Sequence, residues 1–267
     1  MSDKLIFYDL VGVHGGPFYS PNTWKTRLSL LHKEVEFEER EVTYMELKEF
    51  AGRFGGQKPI TPFIELANGE LIWDSWRIAE WLEEKYPNKP SLFLPDAATP
   101  LNSADPALKL AKNYAVLVNK GYGDSDSQWS PFFELSAEGI AGLMPDESPG
   151  EPNQTRLYYQ SDAKLGMKDA WKTLMSLDKN AMTGQAKASV TPLEGVLADS
   201  PFLTGQHPGF ADYVVYGRYH MMRSACPSIA QAVWRDAGVP NVGKWIDRIE
   251  GKWAEQLKAA FARLPPI

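Results

Sequence analysis

Apolar and polar residues follow two different spacings in the first third of the chain, one typical of strands and one typical of helices. Leu5 to Tyr8 is a continuous apolar run, which predicts a strand buried on both faces. Val35 to Glu38 alternates between apolar and acidic residues, which predicts a strand with one exposed face. Between them, Ser20-Pro21 is a favourable helix start, and apolar residues recur at helical spacing from Trp24 to Leu31. The chain therefore opens as strand, helix, strand.

The pattern continues with a helix, a hairpin and a second helix start. Tyr44 to Phe54 predicts a helix, and Thr61 to Leu66 predicts a strand opened by a proline. Asn68-Gly69, between that strand and Leu71 to Trp73, is a strong hairpin signal. Asp74-Ser75 then begin an amphipathic helix, whose free N–H groups and partial positive charge favour a carboxylate ligand. One parallel crossover plus an antiparallel hairpin predicts a thioredoxin-like α/β domain over residues 1–86.

The sequence changes character after Tyr86. Prolines crowd residues 87–105, which predicts an extended linker. Residues 106–267 show helical spacing and no convincing strand, so we expect an all-helical second domain. The clearest helical patterns run from Leu108 to Leu117, from Leu157 to Leu177, from Phe210 to Met221 and from Ile246 to Leu257.

One long segment of the second domain has a different composition. Tyr122 to Asn153 is rich in Gly, Ser, Asp and Pro, with aromatic residues in its middle. Such a segment inside a compact domain is usually functional or disordered.

Composition excludes several classes of protein. The 267 residues carry a net charge of −6, so the basic footprint of a nucleic-acid-binding protein is absent. No apolar run approaches the ~18 residues that span a bilayer, and the N-terminus lacks signal-peptide architecture. A single cysteine cannot form an internal disulfide, and the four histidines lack metal-ligand spacing. We therefore expect a cytoplasmic protein without membrane, nucleic-acid or metal binding.

Three segments resemble the glutathione transferase family, and the domain order extends this resemblance across essentially the whole chain. They are Ser20 to Arg27, Asp74 to Pro87, and Phe210 to Tyr213. All three are similar to the β-etherase-like branch, which includes the fungal etherase-related, FuA-type transferases. The resemblance implies a thioredoxin-like domain followed by an all-helical domain, glutathione as co-substrate, and a homodimer.

Ser20 is the residue that the resemblance makes catalytic. A plain reading of the sequence makes it only a helix N-cap. In the family, the hydroxyl at this position donates a hydrogen bond to the glutathione thiolate, and Ser20 replaces the cysteine of the omega-type relatives. Asn22 lies close enough in sequence to be an alternative donor. Cys226 lies far away in sequence, and we expect a core or surface thiol there.

The resemblance also assigns glutathione-binding residues in the first domain. Thr61-Pro62 reads as an edge-strand proline, but in the family this proline is cis and the preceding residue pairs with the cysteinyl part of glutathione. Asp74 and Ser75 read as helix caps, but in the family they bind the γ-glutamyl ammonium and carboxylate. Many relatives carry a basic residue where this chain has Ile60, so Lys58 is the candidate for the glycyl carboxylate.

A last set of residues concerns folding and the acceptor. Asp212 resembles the N3 acid of the family's capping box, although Gly209 at the N-cap has no side chain to return the bond. Most aromatic residues of the second domain should be core. Those in or beside polar loops are candidates for a pocket that takes hydrophobic aromatic molecules. These candidates are Tyr19, Tyr122, Trp129, Phe132 and Phe133.

The sequence leaves two competing functions, and a third is weaker. The first is an enzyme that activates the glutathione thiol for attack on aromatic electrophiles, an expectation that extends to β-aryl ether cleavage. The second is a ligandin, which binds aromatic compounds with little or no catalysis. A regulatory relative of the fold is disfavoured, because it would have no reason to keep Ser20, Thr61-Pro62 and Asp74-Ser75 together.

Overall fold

A computed structural model describes residues 4–123, 129–146 and 148–267. Its first part contains a four-stranded sheet of β1 (Leu5–Leu10), β2 (Phe37–Val42), β3 (Phe63–Glu65) and β4 (Leu71–Trp73), in the order β2-β1-β3-β4. β1 pairs parallel with β2 and antiparallel with β3, which pairs antiparallel with β4. The expected thioredoxin-like arrangement is confirmed.

The second strand begins later than the alternation predicts. Val35 belongs to the turn that closes the preceding helix, α1 (Pro21–His32), because its N–H donates to the Leu30 carbonyl at 3.0 Å. Glu34 adopts a left-handed φ of 52° in the same turn. Pairing with β1 starts at Phe37 and continues to Val42, so the predicted strand was two residues early and four residues short.

The helix predicted from Tyr44 to Phe54 is two shorter elements. α2 (Tyr44–Leu47) begins at a complete capping box formed by Thr43 and Glu46, and a 3₁₀ helix (Lys48–Arg53) follows it. Gly55 and Gly56, at left-handed φ values of 60° and 81°, then end helical geometry. α3 (Ser75–Lys85) follows β4 directly, as the Asp74-Ser75 start predicts.

Among its described residues, the second part of the chain forms helices joined by loops and turns, with isolated bridges and no strand. Its helices are α4 (Pro106–Gly121), α5 (Pro131–Gly142), α6 (Gln154–Tyr159), α7 (Asp162–Leu165), α8 (Ala170–Met175), α9 (Lys179–Asp199), α10 (Phe210–Ala225), α11 (Pro227–Trp234), α12 (Pro240–Lys252) and α13 (Ala254–Phe261). Among these, no helix is both long enough and apolar enough to cross a membrane.

Two regions of this helical part differ from the sequence-based expectation. The single helix expected from Leu157 to Leu177 is divided into α6, α7 and α8, because Ser161 caps a new helix and Gly166 adopts a left-handed φ of 85°. The polar segment from Tyr122 to Asn153 contains α5, and its residues 124–128 and 147 lie outside the described residues.

α10 is the buried centre of the molecule and it fixes the start of α1. A Cβ atom at Gly217 would lie 2.4 Å from the Pro21 carbonyl oxygen, so only glycine permits this close approach. Trp24 of α1 is fully buried, with its ring centroid 3.7 Å from that of His220. The two parts of the chain therefore meet at the first turn of α1.

Asp212 holds the start of α10 against the loop before it. Its carboxylate accepts hydrogen bonds from the Gly209 and Leu203 N–H groups, at 3.0 and 2.8 Å, and from Trp245 Nε1 at 2.8 Å. Thr204 Oγ1 donates a further bond at 2.5 Å. Gly209 has no side chain that could complete a reciprocal capping box with Asp212, as expected. Leu203, Thr204 and Trp245 instead donate additional hydrogen bonds to the Asp212 carboxylate. Asp212 therefore has a folding role.

Candidate active site

The starts of α1 and α3 and the turn before β3 surround one cleft of about 420 Å³, which we call the helix-start cleft. This cleft brings together all six residues that the sequence assigned to glutathione. They are Ser20, Lys58, Thr61, Pro62, Asp74 and Ser75. The described residues contain no group of three or more His, Cys, Asp or Glu side chains suited to hold a metal ion.

Ser20 caps α1, but its cap hydrogen bond is long. Its Oγ accepts from the Thr23 N–H at 3.4 Å, while the Thr23 hydroxyl donates to the Ser20 carbonyl at 3.0 Å. The side chain is 6% exposed and lies at the cleft wall. An N-cap hydroxyl acts as acceptor in this bond, so its own proton remains available to a second group. The cap function and a donor function are therefore compatible.

The turn before β3 presents backbone to the cleft. The Thr61-Pro62 peptide bond is cis, and regular pairing of β3 starts one residue after the proline, at Phe63. The Pro62 carbonyl accepts from the Asp74 N–H at 3.2 Å, which ties this turn to the start of α3. Thr61 thus lies outside the ladder, beside the same helix start as Asp74.

Asp74 does cap α3, as the plain reading of the sequence holds. Its Oδ1 accepts from the Trp76 and Arg77 N–H groups at 2.9 and 3.2 Å. The residue adopts a left-handed φ of 76°, a conformation that is strained for a residue with a side chain and that is often found at functional sites. Ser75 is buried at the first helical position. One carboxylate, one hydroxyl and one helix N-terminus therefore lie side by side in the wall of the cleft.

Several cleft residues were not predicted, because most of them belong to elements distant in sequence from the two helix starts. Lys25 donates from Nζ to Asn119 Oδ1 on α4 at 2.7 Å. Tyr158 of α6 lies over the other end, with its ring centroid 4.5 Å from Lys48 Nζ and 5.7 Å from Lys58 Nζ. No local sequence pattern places Tyr158 beside the first domain. Cations predominate over acids among the described cleft residues.

A second cavity of about 260 Å³, which we call the aromatic cavity, adjoins the same helix start. Three of the five acceptor candidates line it, namely Tyr19, Trp129 and Phe133. Tyr159, Ile140, Leu165, Met221 and Arg218 also contribute and were not expected. Ser20, Asn22, Leu10, Tyr44 and Lys164 line both the helix-start cleft and the aromatic cavity.

The structure does not bring Tyr122 and Phe132 to either of these cavities. Phe132 is 1% exposed and packs between Tyr122 and Trp234, at centroid distances of 5.8 and 5.1 Å. The Tyr122 hydroxyl donates to the Ser189 carbonyl at 2.9 Å. The polar residues around them make the sequence of α5 resemble a loop, although the apolar face of this helix packs on α10. Both residues belong to the core, as the plainer reading of the aromatic residues holds.

Tyr19 is buried beside the catalytic candidate. Its hydroxyl has no hydrogen-bond partner among the described residues. Burial raises the pKa of the Tyr19 phenol well above its usual range, and the nearby phenols of Tyr44 and Tyr159 raise it further. Tyr19 therefore stays protonated at neutral pH, and its hydroxyl is available to donate a hydrogen bond but not to act as a base.

Cys226 lies at the end of α10 and lines neither cavity. Burial raises the pKa of its thiol to about 11, and the Ser136 hydroxyl lies 3.7 Å from its sulfur. The thiolate form is the nucleophile, so a thiol with such a pKa is unreactive at neutral pH.

Comparison with family models shows where the chain belongs. Residues 19–85 match the glutathione S-transferase N-terminal domain, and residues 171–248 match the glutathione S-transferase C-terminal domain. Together the two matches cover more than half of the chain. The chain therefore belongs to the glutathione S-transferase family.

Solved structures share the fold over nearly the full length. Glutathione transferase GSTFuA3 from Phanerochaete chrysosporium is 20% identical with a TM-score of 0.66, and the match covers 96% of this chain and 97% of that one. CsGST83044 of Ceriporiopsis subvermispora, solved in complex with glutathione, is 20% identical with a TM-score of 0.60, covering 98% and 100%. Rice GST1, also in complex with glutathione, is 16% identical with a TM-score of 0.61, covering 99% and 92%.

Proposed function

We propose that the chain is a cytoplasmic, homodimeric glutathione transferase of the serine type. Glutathione binds in the helix-start cleft, Ser20 holds its thiol as the thiolate, and the sulfur attacks an aromatic electrophile in the aromatic cavity. The observation that carries the proposal is the position of Ser20 in the wall shared by both cavities. A sulfur held there is close to both its activating hydroxyl and its acceptor.

The charges of the helix-start cleft match those of the tripeptide. The γ-glutamyl ammonium pairs with Asp74, and the neighbouring carboxylate binds Ser75 and the N-terminus of α3. Thr61 pairs its backbone with the cysteinyl residue, as an added strand residue would. Lys58 binds the glycyl carboxylate. Lys48 lies against the same Tyr158 ring, so replacing each lysine in turn compares their contributions to glutathione binding.

Thiolate formation follows from the hydroxyl and the helix end. A hydrogen bond to a charged group contributes about 1.5–3 kcal/mol, and a helix N-terminus about 0.3–1 kcal/mol. At about 1.4 kcal/mol per pKa unit, the two lower a thiol pKa from about 8.5 to about 6–7. The bound thiol is then largely ionised at neutral pH.

The acceptor reaction that we favour is displacement at a β-aryl ether or a similar flat electrophile. The sulfur forms a bond to carbon while the carbon–oxygen bond breaks, and the aryloxide leaves and takes a proton from water. The ring surfaces of Trp129, Phe133 and Tyr159 in the aromatic cavity support an aromatic acceptor. The resemblance of the Ser20 and Asp74 segments to the etherase-like branch supports the ether.

A ligandin is the second candidate, because the aromatic cavity can bind flat molecules without any thiol chemistry. Turnover separates the two functions. An enzyme consumes glutathione with a reactive aryl halide, at a rate that rises with thiol ionisation. A ligandin binds aromatic compounds and forms no thioether, even at high pH where the thiol is ionised.

Calorimetric titration of glutathione tests the binding site. Asp74→Asn keeps an equally good N-cap but removes the negative charge, so we expect a folded variant with at least tenfold weaker binding. Ser75→Ala should weaken binding similarly. Glu70→Gln, an acid in the hairpin outside the helix-start cleft, is the matched control and should bind as the wild type does. Wild-type affinity in both site variants would contradict the assignment.

A further inference from the structure

The loop between β1 and α1, residues 11–19, is held from outside by Glu41 of β2. The Glu41 carboxylate accepts the Gly15 N–H at 2.7 Å and pairs with Arg263 Nη1 at 2.5 Å. His14 Nδ1 lies 3.4 Å from the same carboxylate. These donors lower the pKa of Glu41, although its partial burial raises it. Glu41 therefore stays charged and joins the loop to the far end of the chain.

Arg263, which follows α13, makes three different contacts with this arrangement. Besides Glu41, its Nη1 donates to the Gly16 carbonyl at 3.3 Å. Its guanidinium lies 4.4 Å from the centroid of the Phe18 ring. The guanidinium of Arg27 lies 4.5 Å from the same centroid. One residue near the C-terminus thus contacts both the backbone and a ring of the loop.

The tail that carries Arg263 is itself anchored. Arg223 of α10 donates from Nη1 to the Pro265 carbonyl at 2.7 Å. The Arg263 side chain is about one-quarter exposed, so its ion pair with Glu41 is partly shielded from solvent. The contacts therefore belong to an ordered tail packed on the buried centre of the molecule.

Phe18 connects the Arg263 contacts to Ser20, the catalytic candidate, because it lies two residues before Ser20 in the sequence. Its carbonyl accepts Trp24 Nε1 at 2.8 Å, and it bridges to Val11 across the loop. The cap bond of Ser20 to Thr23 is long at 3.4 Å, so the direction of the hydroxyl depends on the backbone that precedes it.

We propose that Arg263 and Glu41, which we call the C-terminal clasp, are positioning residues for the Ser20 hydroxyl. The inference rests on the proposed function. The loop contains three glycines, at 12, 15 and 16, and has little stiffness of its own. The clasp supplies part of that stiffness, beside the contact of His14 Nε2 with Glu46 at 2.6 Å, and keeps Ser20 directed at the bound sulfur. Neither clasp residue lines the helix-start cleft, so they act on thiol ionisation and not through direct contacts with glutathione.

Arg263→Gln and Glu41→Gln, alone and combined, test the clasp. In each variant we expect the apparent pKa of the bound thiol to rise by roughly 0.5–1 unit. Glutathione affinity measured at about pH 5, where the bound thiol is protonated, should stay unchanged. The double variant should resemble Arg263→Gln, because the ion pair that Glu41→Gln removes is already lost when Arg263 is replaced. Arg263→Lys keeps the charge but loses the planar contacts, so it should fall between wild type and Arg263→Gln.

Arg235→Gln is the matched control. Arg235 is another partly exposed arginine held by carboxylates, those of Asp247 and Glu250, and it lies away from the loop. This variant can lose stability but should keep the wild-type thiol pKa. If it shifts that pKa as much as Arg263→Gln does, the effect is a general loss of stability and the clasp proposal is wrong.

Amide hydrogen exchange tests the clasp independently of the proposed function. Gly15 and Gly16 should exchange faster in Arg263→Gln than in the wild type, with or without glutathione. A wild type that binds no glutathione would contradict the proposed function, and with it the role of the clasp in thiol ionisation. A wild type that binds glutathione, with an unchanged thiol pKa in every clasp variant, would overturn the clasp alone.

Discussion

At the scale of single residues, the Ser20 hydroxyl makes a weak helix-capping hydrogen bond and, in the proposed function, donates a second hydrogen bond to the glutathione sulfur. The cap bond to Thr23 is 3.4 Å long, so removing the hydroxyl should cost less than the typical ~1 kcal/mol of a lost N-cap. In Ser20→Ala we therefore expect a folded protein whose bound thiol has a pKa about one to two units higher. Thiolate absorbance against pH measures this shift. An unchanged profile would transfer the role to Asn22 or to backbone N–H groups.

Asp9 of β1 gives a prediction about stability and pH. It is fully buried against Arg27, with Arg27 Nη2 2.8 Å from Asp9 Oδ2. Burial raises the pKa of Asp9 from 3.8 to about 6, despite the opposing effect of Arg27. The native state therefore holds this proton more tightly than the unfolded chain does. Its stabilising contribution is complete below pH 3.8 and declines as pH rises through about 6.

Urea unfolding of wild type and Asp9→Asn at several pH values between 4 and 7 tests this. The variant carries no titrating group at position 9, so the wild type should lose stability relative to Asp9→Asn as the pH rises. A difference in the free energy of unfolding that stays constant over this range would contradict the raised pKa.

At the scale of elements, local signals determined some parts of the fold and not others. β4 and the start of α3 were predictable, because Asn68-Gly69 and Asp74-Ser75 are strong local signals next to apolar residues. α9 was missed, and it continues through Pro192, because packing against α5 and α12 overrides a local helix breaker.

The residues of the candidate site were likewise predictable where local sequence signals identify them, and not where packing between distant elements positions them. The sequence supplied residues near the two helix starts of the first domain, since family motifs lie there. It could not supply Tyr158 and Lys164, since their position depends on how the second domain packs on α2. It also favoured Phe132 and Tyr122, which line neither cavity, because the polar residues around them conceal the apolar face of α5.

Neighbouring residues of α5 allow a direct comparison between cavity and core. Phe133→Ala should weaken binding of an aromatic ligand and leave glutathione binding intact, because Phe133 lines the aromatic cavity. Phe132→Ala should instead destabilise the fold by about 3–5 kcal/mol, as expected for a buried phenylalanine. Thermal unfolding and ligand titration on both variants measure the contrast. Equal loss of ligand affinity in the two would place the acceptor elsewhere.

The contact between α10 and α1 gives a second prediction at this scale. In Gly217→Ala, the new Cβ would lie 2.4 Å from the Pro21 carbonyl oxygen. We expect a loss of about 1–3 kcal/mol in stability, and lower activity, because the start of α1 must move. Gly243→Ala in α12 meets nothing within 4 Å and should be neutral or stabilising. Comparable losses of unfolding free energy in both variants would contradict this account of the contact.

At the scale of the whole molecule, α4 exposes apolar side chains on one face. Leu110 and Leu117 are each 70% exposed, and Tyr114 lies between them at helical spacing. An exposed apolar stripe of this kind supports the proposed homodimer. Leu110→Glu combined with Leu117→Glu should convert a dimer into a monomer in sedimentation analysis. Two alternatives would show that the stripe is not the interface: a dimer that persists in the variant, or a monomeric wild type.

In the proposed function, this chain binds glutathione beside Ser20 and ionises its thiol. Ultraviolet difference titration of the wild type with glutathione, across the pH range, tests binding and ionisation in one measurement. We expect a saturable thiolate signal with an apparent pKa of about 6–7, well below the ~8.5 of a free thiol. A bound thiol that titrates near 8.5, or the absence of any saturable signal, would contradict it.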